Sequence, residues 1–176
     1  MDNSNNILEF GIKRENEERR DGGCSVVFDP ETQKYAVYKN LKNEILGLYG
    51  GGFNEGESEE DGVLRELIEE SGLNDFLHIE KVDKVLTHYF NMNKKINRIA
   101  FATCFLVILR STNFQPTKLE EHEKFELVWA TNKEILSSWK SINQDRDFDH
   151  WVYFLNKAIA RAKELGYDIT SNIDLI

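Results

Sequence analysis

Apolar positions along the chain recur with two different periods, and the switches between them divide it into strands and helices. Cys24-Ser25-Val26-Val27-Phe28 reads as a strand, Asp29-Pro30-Glu31-Thr32 as a turn with Pro at its favoured second position, and Tyr35–Lys39 as the return strand of a hairpin. Ile45-Leu46-Gly47-Leu48 is a short strand running into Gly50-Gly51-Gly52. Between Ser58 and Ser71 the period changes to that of a helix. Ser58 with Asp61 three residues on is a capping signature, Leu64, Leu67 and Ile68 line one face, and Gly72 stands where a C-terminal cap belongs. Strand character returns near Ile79–Leu86, Arg98–Leu109 and Phe125–Ala130. The second of these is long and apolar enough to be buried on both faces. Ile135–Lys140 is a candidate short helix. His150–Leu165 is an amphipathic one, with Trp151, Phe154, Leu155, Ala158 and Ala162 on one side and Gly166 at its end.

Strands interrupted by helices within one short chain predict an α/β fold, a mixed sheet between helical layers. Residues 1–22 are polar and charged and read as a partly loose N-terminal segment, in which the alternation of Leu8, Phe10 and Ile12 predicts one short strand. Residues 23–176 read as a single domain, without internal repeat, linker or low-complexity stretch.

Composition narrows the function. A net charge of −9 lacks the basic face a general nucleic-acid binder needs. It does not exclude a polyphosphate ligand, because divalent cations can sit between acidic side chains and phosphates. Cys24 and Cys104 each lie in an apolar run without a second Cys or a His at ligand spacing, which predicts two buried free thiols. No basic flank adjoins an apolar run at the N-terminus, and no apolar run approaches the roughly 20 residues that span a bilayer. A cytoplasmic protein without membrane association is expected. His78, His88, His122 and His150 are not at metal-ligand spacing with one another, and Trp129 and Trp151 read as core residues.

The chemistry concentrates in Gly51–Leu73, GGFNEGESEEDGVLRELIEESGL. Glu66, Glu69 and Glu70 stand at i, i+3 and i+4 and share one helical face, although like charges so placed repel. Alone they would make an ordinary solvated acidic face. The context argues for more. The glycines allow close backbone approach to a ligand, Glu57 sits in the connecting loop, and Arg65 is placed to pair with Glu57 or Glu69. Carboxylate oxygens are the hard donors that Mg²⁺ prefers.

The spacing of Gly51, Glu57, Arg65-Glu66-Leu67, Glu69-Glu70 and Gly72-Leu73 resembles the Nudix box at every defined position. Chance occurrence of that pattern somewhere in the chain is on the order of 10⁻⁸ from average residue usage. The hairpin before the box, the strands after it and the C-terminal helix also resemble the Nudix fold. That resemblance implies an α/β/α sandwich on a mixed β-sheet. It implies hydrolysis of a phosphoanhydride bond in a nucleoside diphosphate-linked compound, with Mg²⁺ or Mn²⁺ as cofactor, a small-molecule nucleotide as partner and, as in many members, a homodimer. The metal ligands it implies are Glu66, Glu69 and Glu70, with Glu66 alternatively the base, and the carbonyl of Gly50 or Gly51 as a further donor. Arg65 belongs to the catalytic set, and Glu57 and Gly72 are structural. A further acid is expected from the Glu120–Lys124 region, Glu123 foremost. Lys39, Gly51, Gly52 and Tyr89 are expected to contact substrate, with Lys94 and Lys95 meeting extra phosphates. Tyr89, beyond the box, suggests a dinucleoside polyphosphate, and a damaged nucleoside triphosphate is the other candidate. The alternative is a regulatory Nudix domain that binds a nucleotide without turning it over. One departure is Tyr49, where many members carry Pro.

Overall fold

A computed structural model describes residues 7–92, 94–121 and 124–171. Its strands are β1 (Glu9–Gly11), β2 (Glu18–Arg19), β3 (Gly22–Asp29), β4 (Lys34–Asn40), β5 (Leu46–Gly47), β6 (Tyr49–Gly52), β7 (Phe76–Asn91), β8 (Ile96–Leu109) and β9 (Phe125–Ala130). Helix α1 spans Glu59–Ser71, α2 Asn132–Lys140 and α3 Asp149–Glu164. The strands form one sheet in the order β1-β7-β8-β3-β4-β5, with β2 on β8, β6 on β3 and β9 on β4. The β1–β7, β2–β8 and β3–β8 pairings are parallel and the others are antiparallel, so the sheet is mixed.

The two-fold alternation of side chains along β3 and β8 builds both layers of the sandwich. Val26, Phe28, Leu106 and Ile108 face the layer of α2 and α3, packing with Trp139, Phe154, Leu155 and Ile159. Val27, Val107 and Leu109 face the other way, onto Leu67 and Leu73 at α1. Each such side chain, fully removed from water, contributes roughly 1.5–3 kcal/mol. Cys24 and Cys104 are buried free thiols, opposite each other in the β3–β8 register.

Three elements differ from the sequence expectation. β7 begins at Phe76 and extends to Asn91, so Thr87–Asn91 is strand and not loop; its half-exposed, bulged course weakens the alternation that marks a strand. α2 starts at Asn132 because Thr131 and Glu134 form a reciprocal capping box upstream of the apolar positions. The buried stripe of α1 is Val63, Leu67 and Ser71, whereas Leu64 and Ile68 are half-buried. Residues 9–20 are tied into the sheet at three points. β1 pairs with Leu86–His88, β2 pairs with Arg98–Ile99, and Arg20 donates its N–H to the Ile99 carbonyl at 3.1 Å.

Candidate active site

Ser58 accepts the Asp61 N–H and starts α1, and Gly72 ends it at φ 77° with its N–H on the Ile68 carbonyl. Glu59, Glu60 and Asp61 suit the positive end of the helix dipole. Glu69 and Glu70 do not: they occupy the last turn, which has no basic residue of its own. Two carboxylates placed where the dipole opposes them, beside Glu66, form a site that favours positive charge.

Arg65 supplies part of that charge. Its guanidinium donates to Glu57 at 2.7 and 3.1 Å, to Glu66 at 2.7 Å, to Glu69 at 3.4 Å and to the Gly52 carbonyl at 3.3 Å. One side chain therefore ties the loop, the helix and the glycine strand together. Glu57 also accepts the Asn54 N–H at 2.9 Å. The Arg65 hydrogen bonds, then the Asn54 N–H, hold the Glu57 carboxyl down at about 2, and the same pairing raises Arg65 above its ordinary value.

Strand β6 lies across the carboxylates. Gly50 donates its N–H to Glu70 at 3.1 Å, and Glu70 is almost fully buried. A Cβ on Gly51 would stand 2.5 Å from the Glu66 carboxyl carbon, so glycine is what lets that carboxylate rest against the strand. Gly51 and Gly52 both line the cleft. Tyr49, the departure from the box pattern, is wholly buried, and burial followed by the charge of Glu70 pushes its hydroxyl upward. Its ring anchors the start of β6 in the core beneath Leu67.

These residues open onto a cleft of about 700 Å³, the size of a ligand site for a nucleotide-scale molecule. Glu66, Glu69 and Glu70 line it, together with Arg20 and Arg98, which belong to no sequence motif, and Trp151, which the sequence assigns to the core. Tyr89 and Lys94 line the cleft too. Among the described residues no three acidic, His or Cys side chains form a preassembled metal cluster, since Glu66 is turned to Arg65 and Glu70 to the Gly50 N–H. The donor set nonetheless fits a hard divalent cation: carboxylate oxygens beside a glycine strand, in an electrostatic setting that favours positive charge.

Not every expected residue reaches the cleft. Lys39, at the end of β4, pairs with Glu44 at 3.3 Å and Glu126 at 3.9 Å and does not line it. Lys95 occupies the turn between β7 and β8 at φ 53° and also lies outside the lining. Glu123 lies outside the described residues, as does His122. Glu120 from the same region does line the cleft. It is brought there because Gln115 and Lys118 donate N–H groups to the Gly72 and Glu69 carbonyls, fastening this segment to the end of α1. His150 is buried, its Nδ1 3.1 Å from the Thr87 hydroxyl, and burial lowers it to about 4, against a weaker upward pull from Asp149.

A family model described as NUDIX domain matches residues 19–152. Solved structures with the same fold include the NUDIX domain of Shewanella oneidensis NrtR complexed with ADP ribose, at TM-score 0.60 and 19% identity, covering 82% of this chain and 89% of that one. MutT protein from Methanosarcina mazei Go1 is similar at TM-score 0.56 and 17% identity, covering 85% and 99%. A NUDIX hydrolase from Nitrosomonas europaea is similar at 0.53 and 14%, covering 90% and 100%. No curated protein matches the sequence.

Proposed function

We propose that this chain, which belongs to the Nudix family, is a divalent-metal-dependent pyrophosphohydrolase that cuts a phosphoanhydride bond in a nucleoside triphosphate or dinucleoside polyphosphate. One observation carries the reading: Glu66, Glu69 and Glu70 line a nucleotide-sized cleft, Glu66 and Glu70 against a glycine strand, with Glu69 and Glu70 at the helix end where the dipole disfavours acids.

In this reading Glu66, Glu69 and Glu70 hold the metal, with a carbonyl of the Gly50–Gly51 stretch as a further donor. Bound there, Mg²⁺ or Mn²⁺ would neutralise phosphate charge and acidify a water. The chain's own residues do the rest. Arg65 fixes the loop and keeps Glu66 and Glu69 oriented. Gly51 and Gly52 allow the phosphates to approach the backbone. Glu66 or Glu120 accepts the water's proton. Tyr89 and Trp151 offer aromatic surface to a nucleobase, and Lys94 meets phosphate at the rim.

ADP-ribose, the ligand of the NrtR domain, is the natural competitor. The cationic residues of the cleft favour substrates with more phosphate, so a nucleoside triphosphate or dinucleoside polyphosphate should be cut faster than ADP-ribose or NADH. The test is a panel of these compounds with Mg²⁺, monitoring nucleoside monophosphate release. Turnover that survives exhaustive chelation counts against metal dependence, and a panel led by ADP-ribose counts against the substrate class. Binding without turnover of any compound would leave a regulatory nucleotide-binding domain.

A further inference from the structure

The cationic wall of the cleft contains an arginine whose setting the fold alone does not explain. Arg98 on β8 is 9% exposed, yet its one ion pair among the described residues is a 3.2 Å contact from Nη1 to Glu18, a carboxylate 63% exposed. Only one of the five N–H donors of its guanidinium is thereby used. The remaining N–H groups belong to a residue that lines the cleft. Sequestering a cation from water is costly unless hydrogen-bonding partners replace the solvent.

A second guanidinium stands close by. Arg20 leaves β2 toward the glycine strand, and its Nε would lie 2.4 Å from a Cβ on Gly52. It has no hydrogen bond or ion pair from its side chain among the described residues, and it lines the same cleft. Tyr89 locates the two relative to each other. It is the cross-strand partner of Arg98, and its hydroxyl, pushed up chiefly by burial, is pulled the other way by the charges of both Arg98 and Arg20. Two cations thus line the cleft that the acids of α1 also line, brought there by the β2–β8 pairing, in which Glu18 lies opposite Arg98 and the Arg20 N–H reaches the Ile99 carbonyl. Like charges lining one cleft are stabilised when an anion lies between them. A guanidinium fork suits a phosphoryl group's oxygens better than it suits a neutral sugar.

We infer that Arg98 and Arg20 form a phosphate subsite that takes a phosphoryl group beyond the scissile anhydride, and that they set the preference for polyphosphate chains. The inference rests on the hydrolase reading for the identity of the substrate, but the anion site exists independently of turnover. A substrate spanning the cleft would have its scissile bond over Glu66, Glu69 and Glu70 and its next phosphate against the arginines. ADP-ribose, ending in a sugar, would leave the arginines without that partner.

The test separates the two readings. Binding of inorganic tripolyphosphate is measured by calorimetry in chelator at low ionic strength, where the metal platform makes no contribution. Wild type should bind, and Arg98→Gln and Arg20→Gln should each bind about tenfold more weakly or worse. Arg98→Lys, with charge but no fork, should fall between. Glu18→Gln removes the one ion pair that Arg98 makes among the described residues and should bind at least as well as wild type, which a merely structural role for Arg98 does not predict. With Mg²⁺, the arginine variants should lose about tenfold in kcat/KM for a nucleoside triphosphate, mainly through KM, and less than about threefold for ADP-ribose. Tripolyphosphate binding through Arg98 by a chain that hydrolyses nothing would overturn the hydrolase reading and keep the subsite. Undiminished tripolyphosphate binding by both folded glutamine variants would overturn the subsite, as would equal losses for both substrates.

Discussion

Gly51→Ala separates the site's chemistry from the stability of the fold. A Cβ at this position would stand 2.5 Å from the Glu66 carboxyl carbon and 2.7 and 2.8 Å from its oxygens, where ordinary contact begins at 3.4 Å. The carboxylate must therefore retreat by about 0.9 Å. It is the far end of a flexible side chain, held by Arg65, and Gly51 does not have the positive φ that would strain alanine, so the fold absorbs the change. A cost within about 1 kcal/mol is expected, a melting drop of about 2–4 °C for a chain of this length. Activity should suffer far more, because a displacement of about 1 Å in a positioned catalytic group can cost on the order of 10²-fold. Gly50→Ala is the control for backbone damage. Its Cβ would lie 2.1 Å from the Gly23 carbonyl oxygen and 2.7 Å from the Cys24 Cα, so β6 must separate from β3 and the melting temperature should fall much further. The assay is differential scanning calorimetry beside steady-state turnover on the best substrate. A Gly51→Ala protein with wild-type turnover would refute the placement of Glu66 in the chemistry. One that unfolds like Gly50→Ala would refute the claim that only the carboxylate has to move.

Other predictions concern protons. Glu57 is held at about 2 instead of 4.5, so its pairing with Arg65 stabilises the native state fully above pH 4.5 and is lost as the pH falls toward 2; Glu57→Gln should flatten the acid limb of a denaturation series over that window. His150, lowered by burial to about 4 from 6.5, stays neutral in the native state while the unfolded chain takes up a proton. Stability should therefore fall as pH drops from 6.5 to about 4, by at most roughly 3 kcal/mol. Denaturant titrations of wild type and His150→Gln across this range should show the slope only in wild type. Glu66→Gln and Glu120→Gln should divide the base role, the variant lacking the base losing the ascending acidic limb of the kcat profile and the other keeping it.

The sequence is legible where the physics is local. Ser58 and Gly72 bound α1 because caps act within a single turn, and the i, i+3, i+4 spacing of the glutamates needs only the helix period to bring them together. Long-range partners were not legible. Arg20 and Arg98 carry no motif, and it is the parallel pairing of β2 with β8 and the Tyr89–Arg98 register that delivers them to one cleft. Trp151 read as core because it lies on the apolar stripe of α3, and it does pack on Trp139 and Phe148, yet it also forms part of the cleft wall. Lys39 is the converse case. The family resemblance implies a phosphate contact for it, whereas the antiparallel pairing with β9 presents it with Glu126, and the turn after β4 with Glu44.

If the acids of α1 hold a catalytic metal, Glu70→Gln should uncouple the protein from it. Wild type should gain melting temperature on addition of Mg²⁺ or Mn²⁺, because a ligand that binds only the native state stabilises it by mass action. Glu70→Gln should lose much of that gain, and with it at least about 100-fold in metal-dependent turnover. A folded Glu70→Gln protein with wild-type turnover and an unchanged metal-induced melting shift would rule out Glu70 as a metal ligand.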